Sequence, residues 1–479
     1  MFKEENQPLG ITLKGIDVRL EKAISQSLKE TDKGFGKIAI INTMGLVPPQ
    51  RILVASLGRQ KEITKDSVRF VSGKIAKKAR EMNLQEFSIV MKENLTVDVS
   101  ESIAQIVEGV KLSLYAFDKF KANKEKRSPD LTILASKSAK IQNAIKSAEI
   151  VSDGVIFTKS IANLPANECS PATLANFAQQ LARNNNAVKC KIFAESELKK
   201  KGFGGILAVG KGSKNKPRLI VLDYNRAKKQ EQKQHPIVIV GKAVTFDTGG
   251  ISIKPGERMN EMKFDKCGGC TVLGIMKAVS ELKLPIRVIG VVPSVENMPG
   301  GGSYRPGDII KLYNGKTAEI LNTDAEGRLI LADALAYSEK IFSPKVIIDF
   351  ATLTGACIVA LGTNIAGLVS NDEKLVKEIK QSSEATTEEV WQLPLNEDYM
   401  NMIKSQVADM KNMGVGRAAG TIAAAAFLRN AIEKTPWLHL DIAGVAWTQV
   451  ATKEKPYNPK GATGFGVRLI LDYLRNKSS

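Results

Sequence analysis

The chain has 479 residues, 43% of them hydrophobic and 25% charged, a composition that fits a soluble globular protein with room for two or three domains. Its net charge of +19 is uneven: residues 1–250 carry 42 basic and 25 acidic side chains, residues 251–479 carry 27 and 25. Five cysteines, an odd number in a chain of this length, argue for reduced thiols and against a disulfide framework.

From the N-terminus, residues 1–10 are polar and lack a basic stretch followed by an apolar core, so no secretory signal is expected and a cytoplasmic location follows. Residues 37–42, 52–55 and 87–91 read as strands, and 67–82 and 99–114 as helices, which predicts a small α/β domain. It holds no cluster of acidic, His or Cys residues and is assigned no chemistry. An amphipathic pattern over 137–164 predicts a long bridging helix, followed by the Pro-punctuated turn 163–171 and a helix over 172–184. The domain boundary is therefore placed at 155/156, giving domains 1–155 and 156–479.

In the second domain, β-branched runs at 219–223, 237–241, 286–292 and 346–349 predict strands buried on both faces, with helices such as 274–282 and 329–338 between them. The fold class expected is α/β, two domains, the larger an α/β sandwich around a mostly parallel central sheet. Its ligands should gather at the carboxyl ends of the strands. Gly205-x4-Gly210-Lys211 resembles a phosphate loop, but Gly212 stands where Ser or Thr is needed and no helix signal follows at once, so this reading is rejected. Cys267-Gly268-Gly269-Cys270 has no second pair to complete a zinc site and reads as small residues packing at a helix start. The apolar stretch 346–369 is interrupted by Asp349, Thr352, Thr354, Gly355, Gly362 and Asn364, too often for a membrane span. It reads as a buried strand, a loop and more buried chain, so no membrane is expected as a partner. The basic run 211–233 favours a polyanion such as nucleic acid, but no aromatic-interleaved basic motif accompanies it, and a solvated surface is the better reading.

The stretch Asn322-Thr-Asp-Ala-Glu-Gly-Arg-Leu329 carries the chemistry. Read as a strand exit ahead of a helix, it lets Asp324 and Glu326 face one point, where they repel unless a cation lies between them. In isolation this pattern is more often a polar turn in which Asp324 caps the helix. Its company decides otherwise. Lys242 and Asp247 lie in a strand-to-loop passage ending at Gly249-Gly250, Lys254 follows, and Asp265 stands ahead of the Cys/Gly helix start. Four carboxylates, Asp247, Asp265, Asp324 and Glu326, suit two divalent cations, and oxygen ligation leaves manganese, magnesium and zinc open. The two histidines, His235 and His439, lack partners at ligand spacing and read as structural, so acid–base chemistry must come from carboxylates and lysines.

With these motifs the sequence resembles the leucine aminopeptidase (cytosol aminopeptidase) family of two-metal exopeptidases. The matching pieces are Asn322–Leu329, Lys242-x4-Asp247-Thr248-Gly249-Gly250, Lys254-Pro255, Met262-Lys263-x-Asp265 and Tyr304–Asp308. Weaker similarity runs through 349–355, 437–444 and 461–466, so the likeness covers essentially 160–479. The resemblance implies an aminopeptidase that releases N-terminal residues, Leu and other apolar ones foremost, by attack of a metal-bridging hydroxide. It implies that Asp247 and Glu326 bridge two Mn2+ or Zn2+ ions, with Lys242 and Asp265 completing the tighter site and Asp324 the exchangeable one. Lys254 would polarise the scissile carbonyl, and Arg328 would hold a bicarbonate as general base. Met262, Asn322, Thr352, Leu353 and Gly355 would bind substrate, and Asp265 would also contact its amine. A cytoplasmic homohexamer is implied as well. Ala243, Thr248 and 266–270 depart from the family pattern without removing a ligand. Two other readings stand beside this one: an additional DNA-binding role through the basic N-terminal half, and a dipeptidase of narrow substrate range.

Overall fold

In the computed structural model, which describes residues 2–3, 11–20, 22–30, 34–90, 97–123, 128–227, 235–416 and 418–478, the chain divides into two compact units. One comprises Met1–Ser152 with Glu454–Pro459, the other Asp153–Lys453 with Lys460–Ser479. Met91, at the end of an expected strand, lies outside the described residues, as do most of the polar N-terminus and residues 228–233 of the basic run.

The first unit is α/β. The strands Ile38–Asn42 and Arg51–Ser56 pair antiparallel, and Glu86–Val90 and Asp130–Leu134 pair parallel. Thr64 caps the helix Lys65–Glu81 reciprocally with Ser67, and Asp98 caps Val99–Leu114 through the N–H groups of Ser100 and Glu101. The two helices bury Val68, Val71, Ile75, Ile103, Ile106 and Val110 between themselves and the strands. Arg69 is buried within this pair of helices and is neutralised by Glu108 at 3.1 Å and Asp66 at 2.9 Å.

The second unit is built on a nine-stranded sheet. Its path runs Val390–Gln392, Ala366–Ser370, Trp437–Asp441, Val346–Ala351, Ile237–Gly241, Arg287–Asn297, Arg218–Asn225 and Val188–Phe193, with Ala243–Asp247 also pairing Arg287–Asn297. The pairings through the middle, from Trp437–Asp441 to Arg287–Asn297, are parallel, and antiparallel pairings flank them. Every residue of Ile237–Gly241, Val346–Ala351 and Trp437–Asp441 is buried, as the unbroken β-branched runs require of strands covered on both faces.

The helix Cys267–Leu282 covers one face and begins seven residues earlier than the expected Gly274. Gly268 and Gly269 weaken a helix in isolation, but packing overrides propensity here. A Cβ at position 268 would lie 2.3 Å from the Phe350 carbonyl oxygen, so only glycine lets the helix start so close to the sheet. On the other side Gly327–Phe342 packs through Leu329, Ile330, Leu331 and Leu335. The stretch after Val346–Ala351, read as a loop, contains the helix Gly355–Leu361, capped by Thr354. The expected bridging helix occupies Ala139–Ala162. Among the described residues no helix is long and apolar enough to cross a membrane.

Candidate metal centre

The site is assembled where the parallel strands end. Asp247 terminates Ala243–Asp247, Lys242 sits between that strand and Ile237–Gly241, and Thr352 follows directly on Val346–Ala351. Asp265 comes from the 3-10 turn Met259–Lys266, placed by the helix behind it. Glu326 occupies the position before the helix Gly327–Phe342, and Arg328 lies in that helix's first turn.

The geometry of Asp324 and Glu326 differs from that of an extended strand exit. The strand stops at Glu319, and Asn322 draws the chain into a turn, its Oδ1 accepting the Asp324 N–H at 2.8 Å. Asp324 does not cap the helix: the N-cap is Glu326, without a side-chain capping bond. The two carboxylates therefore reach the site from a turn and a helix start.

Asp247, Asp265 and Glu326 are buried, and one oxygen of each lies within 4.8 Å of the others. Asp265 Oδ2 is buried without a hydrogen-bond partner. Three carboxylates converging out of water with an unspent oxygen fit a divalent cation in their midst, since two lysines offset only part of the charge of the trio and Asp324. Asp324 stands outside this trio and meets it through Lys254, whose Nζ pairs with Asp324 and with Asp247 at 2.8 Å. Lys242 Nζ donates to Asp265 at 2.7 Å and to the Thr352 carbonyl at 2.9 Å, and lies 2.8 Å from Glu326.

The electrostatics follow from burial and crowding. Burial pushes the Asp265 carboxyl well above the usual range, and Glu326 and Asp247 add to the rise. Burial, then Asp247, pushes Asp324 up to about 7. Burial alone would lower Lys242 and Lys254, but their carboxylate neighbours outweigh it and hold both above an ordinary lysine. Burial lowers Arg328 to about 10, and its Nε is buried with no hydrogen-bond partner.

All twelve residues singled out from the sequence line one cavity of about 490 Å3: Lys242, Asp247, Lys254, Met262, Asp265, Asn322, Asp324, Glu326, Arg328, Thr352, Leu353 and Gly355. The histidines take no part in lining it. His235 contacts the Ser343 carbonyl near the surface, and His439 is buried against Asp349.

The sequence reading gave no role to the residues that hold the lining in place, although Tyr304 stood in one of its matching motifs. Asn297 donates to Asp247 at 2.8 Å and to the Thr323 carbonyl at 3.1 Å, and the Tyr304 hydroxyl donates to that same carbonyl at 2.7 Å. Asn412 accepts the Leu321 N–H at 2.8 Å, donates to the Asn322 carbonyl at 2.7 Å, and accepts Arg328 on its own carbonyl at 2.7 Å. No spacing signals these roles, because each residue acts across 19 to 91 positions of chain.

The chain matches the cytosol aminopeptidase family, catalytic domain, over residues 156–471, and that family's N-terminal domain over 2–124. It is 59% identical over 459 residues to a probable cytosol aminopeptidase of Cenarchaeum symbiosum (strain A), covering 96% of this chain and 92% of that one. It is 41% identical over 483 residues to the cytosol aminopeptidase of Pseudomonas aeruginosa PAO1, covering 99% and 95%. Among solved structures it resembles the bottromycin maturation enzyme BotP in complex with Mn, with a TM-score of 0.86, 27% identity, and coverage of 100% of this chain and 98% of that one.

Proposed function

The chain belongs to the cytosol aminopeptidase family and is a peptide-bond hydrolase, and we propose that it is a cytoplasmic enzyme dependent on two divalent metal ions that removes N-terminal residues, preferably Leu and other apolar ones. The observation that carries the metal dependence is the convergence of Asp247, Asp265 and Glu326 within 4.8 Å beside the buried Lys242 and the half-buried Lys254. In this reading Asp247, Glu326, Asp265 and Asp324 would hold the two ions, and Lys242 would join them as a ligand on giving up its proton, its amine being raised only while it faces the bare carboxylates. Manganese or zinc suits this set of ligands. When bound, the ions supply Lewis-acid polarisation and a water more acidic than bulk.

The chain's own residues supply the rest. Lys254, held above an ordinary lysine, keeps its charge and donates to the oxygen of the scissile carbonyl as negative charge develops there. Arg328 holds a bicarbonate as proton acceptor, which suits a site lined by no histidine, and its unpaired buried Nε supports that role. Met262, Asn322, Thr352, Leu353 and Gly355 shape the cavity for the first residue of the peptide. Asp265 also takes the substrate's amine. Self-association as a homohexamer belongs to the same proposal. DNA binding does not, since the uneven charge of the chain is the one observation behind it.

The test is hydrolysis of leucyl-p-nitroanilide with added Mn2+ by wild type and Glu326→Ala. Wild type should turn over and the variant should lose nearly all activity; equal rates would refute the assignment.

A further inference from the structure

Asp441 ends the strand Trp437–Asp441 and is fully buried. One of its oxygens accepts the Leu353 N–H at 3.2 Å and the Ala443 N–H at 3.1 Å. The other accepts the Thr354 hydroxyl at 2.6 Å. The Thr354 oxygen in turn accepts the Cys357 N–H at 3.1 Å and lies 2.8 Å from the Thr421 hydroxyl, next to Gly420. Leu353, Thr354, Gly355, Gly420 and Ala443 all line the cavity. A single carboxylate thus holds two parts of the lining directly and meets a third through Thr354.

A buried carboxylate is costly, and besides its neutral donors the sheet places a histidine near Asp441. His439 lies two residues before Asp441 on the same strand, in register with Asp349 of the neighbouring strand, while Asp441 is in register with Ala351. The His439 Nδ1–H donates to Asp349 at 2.6 Å, and the other oxygen of Asp349 accepts the Trp437 indole N–H at 2.7 Å. Burial disfavours a charged imidazole, but Asp349 first and Asp441 next outweigh it and hold His439 above its ordinary value, against the opposing charge of Arg328.

We propose that Asp441 is a positioning residue of the aminopeptidase reaction, locking the Leu353–Gly355 segment to Ala443 so that the cavity discriminates the first side chain of the peptide. The inference rests on the aminopeptidase reading above and adds the group that holds the pocket's shape. Asp441 makes no bond to Asp247, Asp265 or Glu326, so its effect should fall on substrate fit and leave the metal ligands alone.

The test compares kcat and KM for leucyl- and alanyl-p-nitroanilide, together with bound manganese, in wild type, Asp441→Asn, Thr354→Val and Thr354→Ser. Asp441→Asn and Thr354→Val should raise KM for the leucyl substrate roughly tenfold and shrink the leucyl-over-alanyl preference by a similar factor, with smaller changes in kcat and full manganese content. Thr354→Ser keeps the hydroxyl and should restore the preference. If Asp441→Asn does not fold, the two Thr354 variants decide. A uniform fall in kcat on both substrates, an unmoved preference in Thr354→Val, or loss of manganese would overturn the inference. An inert wild type would remove the aminopeptidase reading and this inference together, whereas an active wild type with preference unmoved in the variants removes this inference alone.

Discussion

Gly327 lies against the side chain of Lys242: a Cβ at position 327 would stand 2.7 Å from the lysine Cε and 2.9 Å from its Nζ. Two effects compete in Gly327→Ala. Alanine favours a helix over glycine by about 1 kcal/mol. The added methyl, however, must displace an amine pinned by Asp265, Glu326 and the Thr352 carbonyl. The end of a lysine is flexible enough to move, so the fold should tolerate the change, with a thermal midpoint near that of wild type. The site should not. Displacing a group that supports the metal ligands typically costs roughly 10–100-fold in metal affinity or activity. Isothermal titration with Mn2+ and leucyl-p-nitroanilide turnover measure that loss; wild-type affinity and rate in Gly327→Ala would show that Lys242 has no part in the centre.

Removal of metal gives a second expectation. Ions that bind the folded chain and not the unfolded one stabilise it by about 2.7 kcal/mol at a hundredfold excess over Kd. Dialysis against a chelator should therefore abolish turnover and lower the thermal midpoint, and Mn2+ should restore both. In Asp265→Asn the chelator should shift the midpoint far less, because that carboxylate, with its unspent Oδ2, is part of the trio. An undiminished chelator shift in Asp265→Asn would place the stabilising metal elsewhere.

Much of this centre was legible in the sequence, and the reason is local. Asp247, Lys254, Asp265 and the 322–329 segment each sit at or near a strand exit or a helix start, so short motifs carry both their identity and their place. The unbroken β-branched runs likewise announced the doubly covered strands. What failed to show was long-range. The helix start at Cys267 is favoured by the Gly268–Phe350 contact, across 82 positions, and not by propensity. Asn297, Asn412 and Asp441 are ordinary polar residues until the fold brings their partners to them. His439 read as structural because nothing at ligand spacing accompanied it; its partner Asp349 lies 90 residues away on the neighbouring strand.

Asp333 supplies a pH-dependent expectation away from the metal centre. Its oxygens accept the Ile206 N–H at 2.9 Å and the Tyr313 N–H at 2.8 Å, tying the helix Gly327–Phe342 to two other segments. Burial is the largest influence and pushes its carboxyl up to about 7, although these bonds favour the ionised form. The folded state thus keeps a proton that the unfolded state releases near pH 4, so this residue's contribution to stability falls as pH rises through that window. The slope is at most about 1.4 kcal/mol per pH unit. Asp333→Asn cannot titrate and replaces one acceptor with a donor, so it should be less stable by roughly 1–3 kcal/mol and lack this slope. Urea midpoints at pH 5 and pH 7 measure both; parallel declines in wild type and variant would show that Asp333 ionises normally in the fold.

Arg328 separates proton transfer from metal binding. Its guanidinium donates to the Asn412 carbonyl at 2.7 Å, leaves a buried Nε without a partner, and makes no bond to Asp247 or Asp265. If it holds a bicarbonate, Arg328→Ala removes the proton acceptor and leaves the metal ligands intact. kcat should then fall by roughly 100-fold or more, the scale of general-base contributions, while bound manganese stays at the wild-type level. Lysine should rescue little, since an ammonium cannot present the planar fork that pairs with a carboxylate-like anion. Added bicarbonate should raise the wild-type rate and leave Arg328→Ala unchanged. Loss of manganese in Arg328→Ala would instead make the arginine a support of the metal centre, acting through the adjoining Glu326 and the Asn412 contact that holds the 321–322 turn.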